Sequence, residues 1–115
     1  MAFHPQVNEQ LIVNNVTYSI MEHPAAPGMP YGQAGRRAIV YQLSTGEEHH
    51  ALKVFSRRFR TPALVLVAQN LASYASLPGL QVCRREVLTP ERNGTLLQKH
   101  PELAFAMLMP WIKGP

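Results

Sequence analysis

A chain of 115 residues with 46% hydrophobic and 16% charged residues suits one folded domain with a modest core and is too apolar for a disordered chain. The formal charge is +4. There is no run of about 18 apolar residues for a membrane span, and the opening MAFHPQ lacks the basic and apolar regions of a signal peptide, so a cytoplasmic protein is expected.

In chain order, residues 11–22, LIVNNVTYSIME, are rich in β-branched side chains with partial alternation and predict one strand. Residues 23–35 contain three prolines and three glycines, which argues against a regular element. Residues 37–43 predict a second strand. Ser44-Thr45-Gly46 supplies a turn, and residues 49–55, HHALKVF, return as its hairpin partner. Thr61-Pro62 is a helix-start signal, since Thr can cap the first amides and Pro suits the first helical position. Leu64, Val67, Leu71 and Tyr74 then follow at helical spacing, and Leu77-Pro78-Gly79 stops the helix. Residues 80–88 alternate as a strand. Residues 89–101 are polar with a turn-like Arg92-Asn93-Gly94, and residues 104–112 form an apolar strand broken at Pro110. The expectation is an α+β fold, a five-stranded antiparallel sheet with one main helix.

Charge is unevenly placed. From His49 to Arg85 there is no acid, while Lys53, Arg57, Arg58, Arg60, Arg84 and Arg85 all fall there, a distribution that favours an anionic partner such as a phosphate or nucleotide. All seven acids are glutamates, so chemistry that requires an aspartate cannot be completed by these residues. The single cysteine, Cys83, forms no internal disulfide, which fits a reducing compartment. His49 and His50 are neighbours in a strand, so they point to opposite faces and cannot share a metal. His23 and His100 are isolated, and no metal or nucleophile site is expected.

Strand, glycine-bearing loop, strand, a third strand with Ala51-Leu52-Lys53, a helix and two more strands: the chain resembles the N-terminal lobe of a protein kinase, of the bacterial serine/threonine type. Ala51-Leu52-Lys53 is similar to the family's A-x-K. Gly32-Gln33-Ala34-Gly35 resembles the last two glycines of its phosphate-covering loop, with Pro30 or Gly28 in the first glycine's place. Met109-Pro110-Trp111-Ile112-Lys113-Gly114 resembles its gatekeeper and hinge. The likeness covers residues 11–115. It implies one lobe-like domain over 1–115, with 1–10 an N-terminal extension, 110–115 the hinge, and the chain a fragment of a longer protein.

By strand parity Ala51, Lys53 and Phe55 share one face, and Leu52 and Val54 the other. The resemblance implies that Lys53 reaches the phosphates of ATP, that Gly32 and Gly35 let backbone N–H groups approach them, and that Ala38 and Ala51 leave room for adenine. Met109 and the main chain of Pro110 and Ile112 complete the adenine pocket. The family pairs this lysine with a helix glutamate. Here Gln69 and Asn70 stand nearest that place, and an amide can bond an ammonium without neutralising it. The family's base and Mg²⁺-binding aspartates belong to the absent C-lobe. The implied function is an ATP-binding lobe that is not catalytic by itself, and the alternative is a pseudokinase-type interaction module. A nucleic-acid binder ranks last, because Phe55, Phe105 and Trp111 sit in apolar runs rather than among the arginines. The partners expected are a nucleotide, a C-lobe or other protein domain, and a second copy held through an exposed hinge surface around Trp111 and Ile112.

Overall fold

A computed structural model describes residues 3–46, 48–74, 76–78 and 85–111, apart from the side chains of Gln33 and Arg57. The first expected strand is two: β1 (Gln10–Val13) and β2 (Val16–Ile20) pair antiparallel. Asn14 and Asn15 between them have φ of 51° and 67°. This left-handed pair suits a two-residue hairpin, and asparagine tolerates it better than most residues.

Residues 23–35 are also more regular than their prolines suggest. β3 (Glu22–His23) and β4 (Ala26–Pro30) form a small separate hairpin, and β5 (Gly32–Ala34) rejoins the main sheet. β6 (Ala38–Thr45) is edged by β2 at Ser44 and Leu43, and by β5 from Tyr41 to Ile39. Between these stretches the Met21 N–H donates to the Gln42 carbonyl, and the Gln42 N–H donates to the Tyr31 carbonyl. β2 and β5 thus act as one edge strand from which the β3–β4 hairpin is looped out. Proline is tolerated there because edge backbone need not donate to a second neighbour.

β6 and β7 (Glu48–Phe55) form the expected hairpin, in register from Ala38 opposite Phe55 to Thr45 opposite Glu48. A short 3-10 turn, Arg57–Phe59, leads to helix α1 (Ala63–Ala72). The Ala63 N–H donates to Thr61 Oγ1 at 3.0 Å, so the threonine satisfies one helix-start donor. The helix ends five residues before Leu77. Its inward residues are Leu64, Val65 and Ala68, while Val67 and Tyr74 are exposed. The small Ala68 makes the close approach to the sheet.

Of the expected strand over 80–88, β8 (Glu86–Val87) is seen, and residues 79–84, with Cys83, lie outside the described part. Residues 89–101 are not a loop. Helix α2 (Pro90–Lys99) starts after Thr89 with proline in its first turn, Glu91 near its N-terminus and Lys99 in its last turn, the arrangement that complements the helix dipole. Asn93 bends it, with φ −132°. β9 (Met107–Pro110) follows a turn at Phe105.

All pairings in the main sheet are antiparallel, in the order β1-β2-β6-β7-β9-β8, with β5 on the free half of β6. The fold is α+β, but that order holds six strands rather than five, and two helices pack on the sheet rather than one. On one face Tyr41, Leu43, Leu52, Val54 and Leu108 join Phe3, Leu11, Val13 and the α2 residues Leu96 and Leu97 in the main core. On the other, Ala38, Phe55, Val87 and Met107 pack against Ala68 of α1. No described helix is long and apolar enough to cross a membrane.

Candidate functional site

Strand β7 carries the candidate lysine between the two cores. Leu52 and Val54 point into the main core, and Phe55 points toward α1. Lys53 has the parity of Phe55, opposite Val40 on β6 and Met107 on β9. Its side chain is half-buried, with Nζ 5.3 Å from the centroid of the Phe55 ring. The ring face is a weak electrostatic partner for a cation. Among the described residues no carboxylate lies in ion-pair range of Lys53.

The helix amides do not meet it. Gln69 and Asn70 are exposed. Gln69 lines a cleft between α1, β8 and the start of α2, with Val65, Ala68 and Glu86, and Lys53 is not in its lining. The Asn70 carbonyl accepts the Ser73 hydroxyl at 2.6 Å.

The two glycines serve local packing. Gly32 lies opposite Tyr41, on the main-core face and so away from Lys53. A Cβ there would stand 2.9 Å from Cδ1 and Cε1 of the Tyr41 ring, so glycine lets that ring lie against the edge strand. Gly35 is in the β5–β6 turn and donates its N–H to the Ala38 carbonyl at 2.8 Å. That donor is committed to the turn.

The residues expected around adenine fall on one face. Ala51 lies opposite Gln42 and Met109. Ala38 pairs with Phe55 one row beyond Lys53 and belongs to the α1-side core, against which Met109 also packs. Pro110 lies opposite His50, and Ile112 lies outside the described residues. Ala51 and Gln42 are 5% and 6% exposed, and strand register shows what covers them. Tyr31 pairs with Gln42 at the edge strand, and the Trp111 N–H donates to the His49 carbonyl beyond β9. Both side chains share the Ala51 face, and their rings meet edge-on at 5.3 Å. His23, from the looped-out hairpin, packs on Tyr31 at 5.0 Å. A ring contact between these two edges spans the sheet face that carries Gln42 and Ala51, the face read as the adenine place. Trp111 is accordingly half-buried, and the most exposed large apolar side chains are elsewhere, at Leu66, Ile12 and Met29.

Sequence reasoning missed Tyr31 and Gln42. The available signal was parity: once Ala51 is assigned a face, the strand register assigns the others. It also missed two polar clusters. Asn93 Oδ1 accepts the Asn14 N–H at 2.8 Å, and Asn14 Nδ2 donates to Glu86 at 2.8 Å, which ties the left-handed hairpin turn to the bend of α2. His100 stands 3.2 Å from Glu9 and 3.4 Å from Glu102. No group of three or more His, Cys, Asp or Glu among the described residues is arranged to hold a metal. Set beside family models, characterised proteins and solved structures, the chain finds no match in any of the three.

Proposed function

We propose that this chain is a nucleotide-binding small lobe of the protein-kinase type. It holds the phosphates of ATP through Lys53 and does not complete phosphoryl transfer with its own residues. The observation that carries the reading is the state of Lys53. It is a half-buried cation beside the small Ala51, on the sheet face that packs against α1, and it has no carboxylate partner among the described residues. A half-buried cation with no described carboxylate beside it is open to an anion, and a phosphate is one that an ammonium binds well. Order along the chain agrees in part: a glycine-bearing segment precedes the β6–β7 hairpin, and α1, β8 and β9 follow, with α2 between the last two strands. Magnesium would need residues of a partner lobe, since the chain has no aspartate.

Calorimetric titration of the chain with ATP, with and without Mg²⁺, tests this. A charge-assisted bond to phosphate is worth about 1.5–3 kcal/mol, so Lys53→Ala weakens binding roughly ten- to hundredfold. Equal affinity in the two proteins removes Lys53 from the site.

A second reading, a pseudokinase-type lobe that acts as a protein-interaction module, is favoured by the contact of Tyr31 with Trp111. If the rings stay closed over Ala51, adenine is shut out. Wild type would then bind no ATP while keeping a protein partner.

A further inference from the structure

The arginines that the sequence scatters over two segments are brought to one end of the β6–β7 hairpin. The Ser56 N–H donates to the Arg37 carbonyl at 2.8 Å, which joins the turn holding Arg36 and Arg37 to the segment holding Arg58 and Arg60. Three of the four guanidinium groups are held in place. Arg60 donates Nε and Nη2 to the Phe55 carbonyl at 3.3 and 3.1 Å. Arg37 and Arg58 both stand against the Phe59 ring, at 5.3 and 5.9 Å from its centroid. Among the described residues none of the four is in ion-pair range of a carboxylate. Four positive charges at one end of the hairpin, without a described counter-charge, favour an anion there.

Beside them is a groove of about 440 Å³, within the size range of small-molecule sites. Phe3, Ile39, Tyr41 and Val54 line it, with Arg36 and Arg60 among its lining residues. Ile39, Tyr41 and Val54 have the parity opposite to Lys53, while Gly35, Ala38 and Phe55 also line the groove, which therefore wraps the end of the β6–β7 hairpin; Lys53 is not in its lining, and the inference does not rest on that residue. The fork of the exposed Arg36 matches phosphate oxygens bidentately, Arg60 adds its charge while bonded to the Phe55 carbonyl, and the groove offers an apolar wall beside them. We infer that this groove is a second anion site, one that takes a phosphate monoester carried on an apolar or aromatic body.

The test is a titration of the intact chain with 1-naphthyl phosphate, inorganic phosphate and 1-naphthol, followed by amide chemical shifts in NMR. The expected result is binding of naphthyl phosphate at least tenfold tighter than inorganic phosphate, with shifts centred on residues 34–41 and 54–60. Arg36→Gln, an exposed change that leaves the fold in place, weakens it at least threefold, and Arg60→Gln weakens it further. Ile39→Ser, which trims the apolar wall without adding charge, weakens naphthyl phosphate and leaves inorganic phosphate unchanged. Equal binding of 1-naphthol and its phosphate overturns the inference by reducing the site to an apolar groove. So does an unchanged affinity in Arg36→Gln. A tenfold loss in Lys53→Ala would place the phosphate at Lys53 instead, and would also sink it.

Discussion

Replacing Tyr31 by alanine separates the closed adenine place from an open one. The ring of Tyr31 meets Trp111 at 5.3 Å in an edge-on arrangement on the sheet face that carries Gln42 and Ala51. Such a pair contributes about 0.5–1.5 kcal/mol beyond the area it buries. If ATP must part the rings to lie on Ala51, the energy of the pair is subtracted from binding. Tyr31→Ala then tightens ATP about two- to twelvefold. The backbone bonds of residue 31 are unaffected, so the edge strand stays paired. Trp111 is the single tryptophan of the chain, so its emission reports the opening directly: it moves to longer wavelength in the variant as the ring gains water. Calorimetry supplies the affinity on the same samples. Weaker ATP binding in Tyr31→Ala, with the emission shifted, would show that the ring supports the nucleotide rather than blocking it, and would refute the argument.

Two stability measurements probe the frame around the site. Asn93 is 5% exposed and exchanges two bonds with Asn14, at 2.8 and 3.1 Å. At about 1 kcal/mol per bond, Asn93→Ala costs roughly 2 kcal/mol and lowers the midpoint of thermal unfolding by about 8 °C. Urea unfolding that shows less than about 0.5 kcal/mol would mean the bonds are matched by water. Burial pushes the Tyr41 hydroxyl above the ordinary tyrosine value. The neutral form is therefore favoured by folding, and its contribution is full below about pH 10 and is lost as pH rises through the native value. Wild type should lose more stability than Tyr41→Phe between pH 9 and 11.5, and parallel curves would count against a buried phenol.

What could be read from the chain was local and strongly patterned. The β6–β7 hairpin, the parity that puts Lys53 with Ala51 and Phe55, and the Thr61-Pro62 helix start each follow from a few adjacent residues. The errors have specific causes. Asn14-Asn15 was hidden inside a β-branched run, although two left-handed asparagines make a hairpin turn as well as a glycine does. Asn93-Gly94 was read as a turn, but Thr89-Pro90-Glu91 starts a helix there, and burial of Leu96 and Leu97 holds it through the bend. Tertiary packing overrode the turn propensity. The rings over Ala51 and the arginines around the groove come from segments distant in the chain. Only pairing register brings them together, and register depends on turns that were misread.

Ala51 fits two accounts, and a double variant separates them. A small side chain at this position leaves a hollow on the sheet face, and a hollow invites whatever flat group is nearest. In the free chain that group is the Tyr31–Trp111 pair, tethered to the edges of the same sheet and so needing no ligand entropy to arrive. The rings hold their position by about 0.5–1.5 kcal/mol beyond the area they bury. A phosphate on Lys53 offers about 1.5–3 kcal/mol, in a place where the cation otherwise lacks a described counter-charge. If ATP binds as proposed, the rings weaken it and Lys53 anchors it. Removing the rings and removing the lysine must then act in opposite directions. In the double variant Tyr31→Ala/Lys53→Ala, the gain from the first change has to shrink, because an opened adenine place without the phosphate anchor has little to hold.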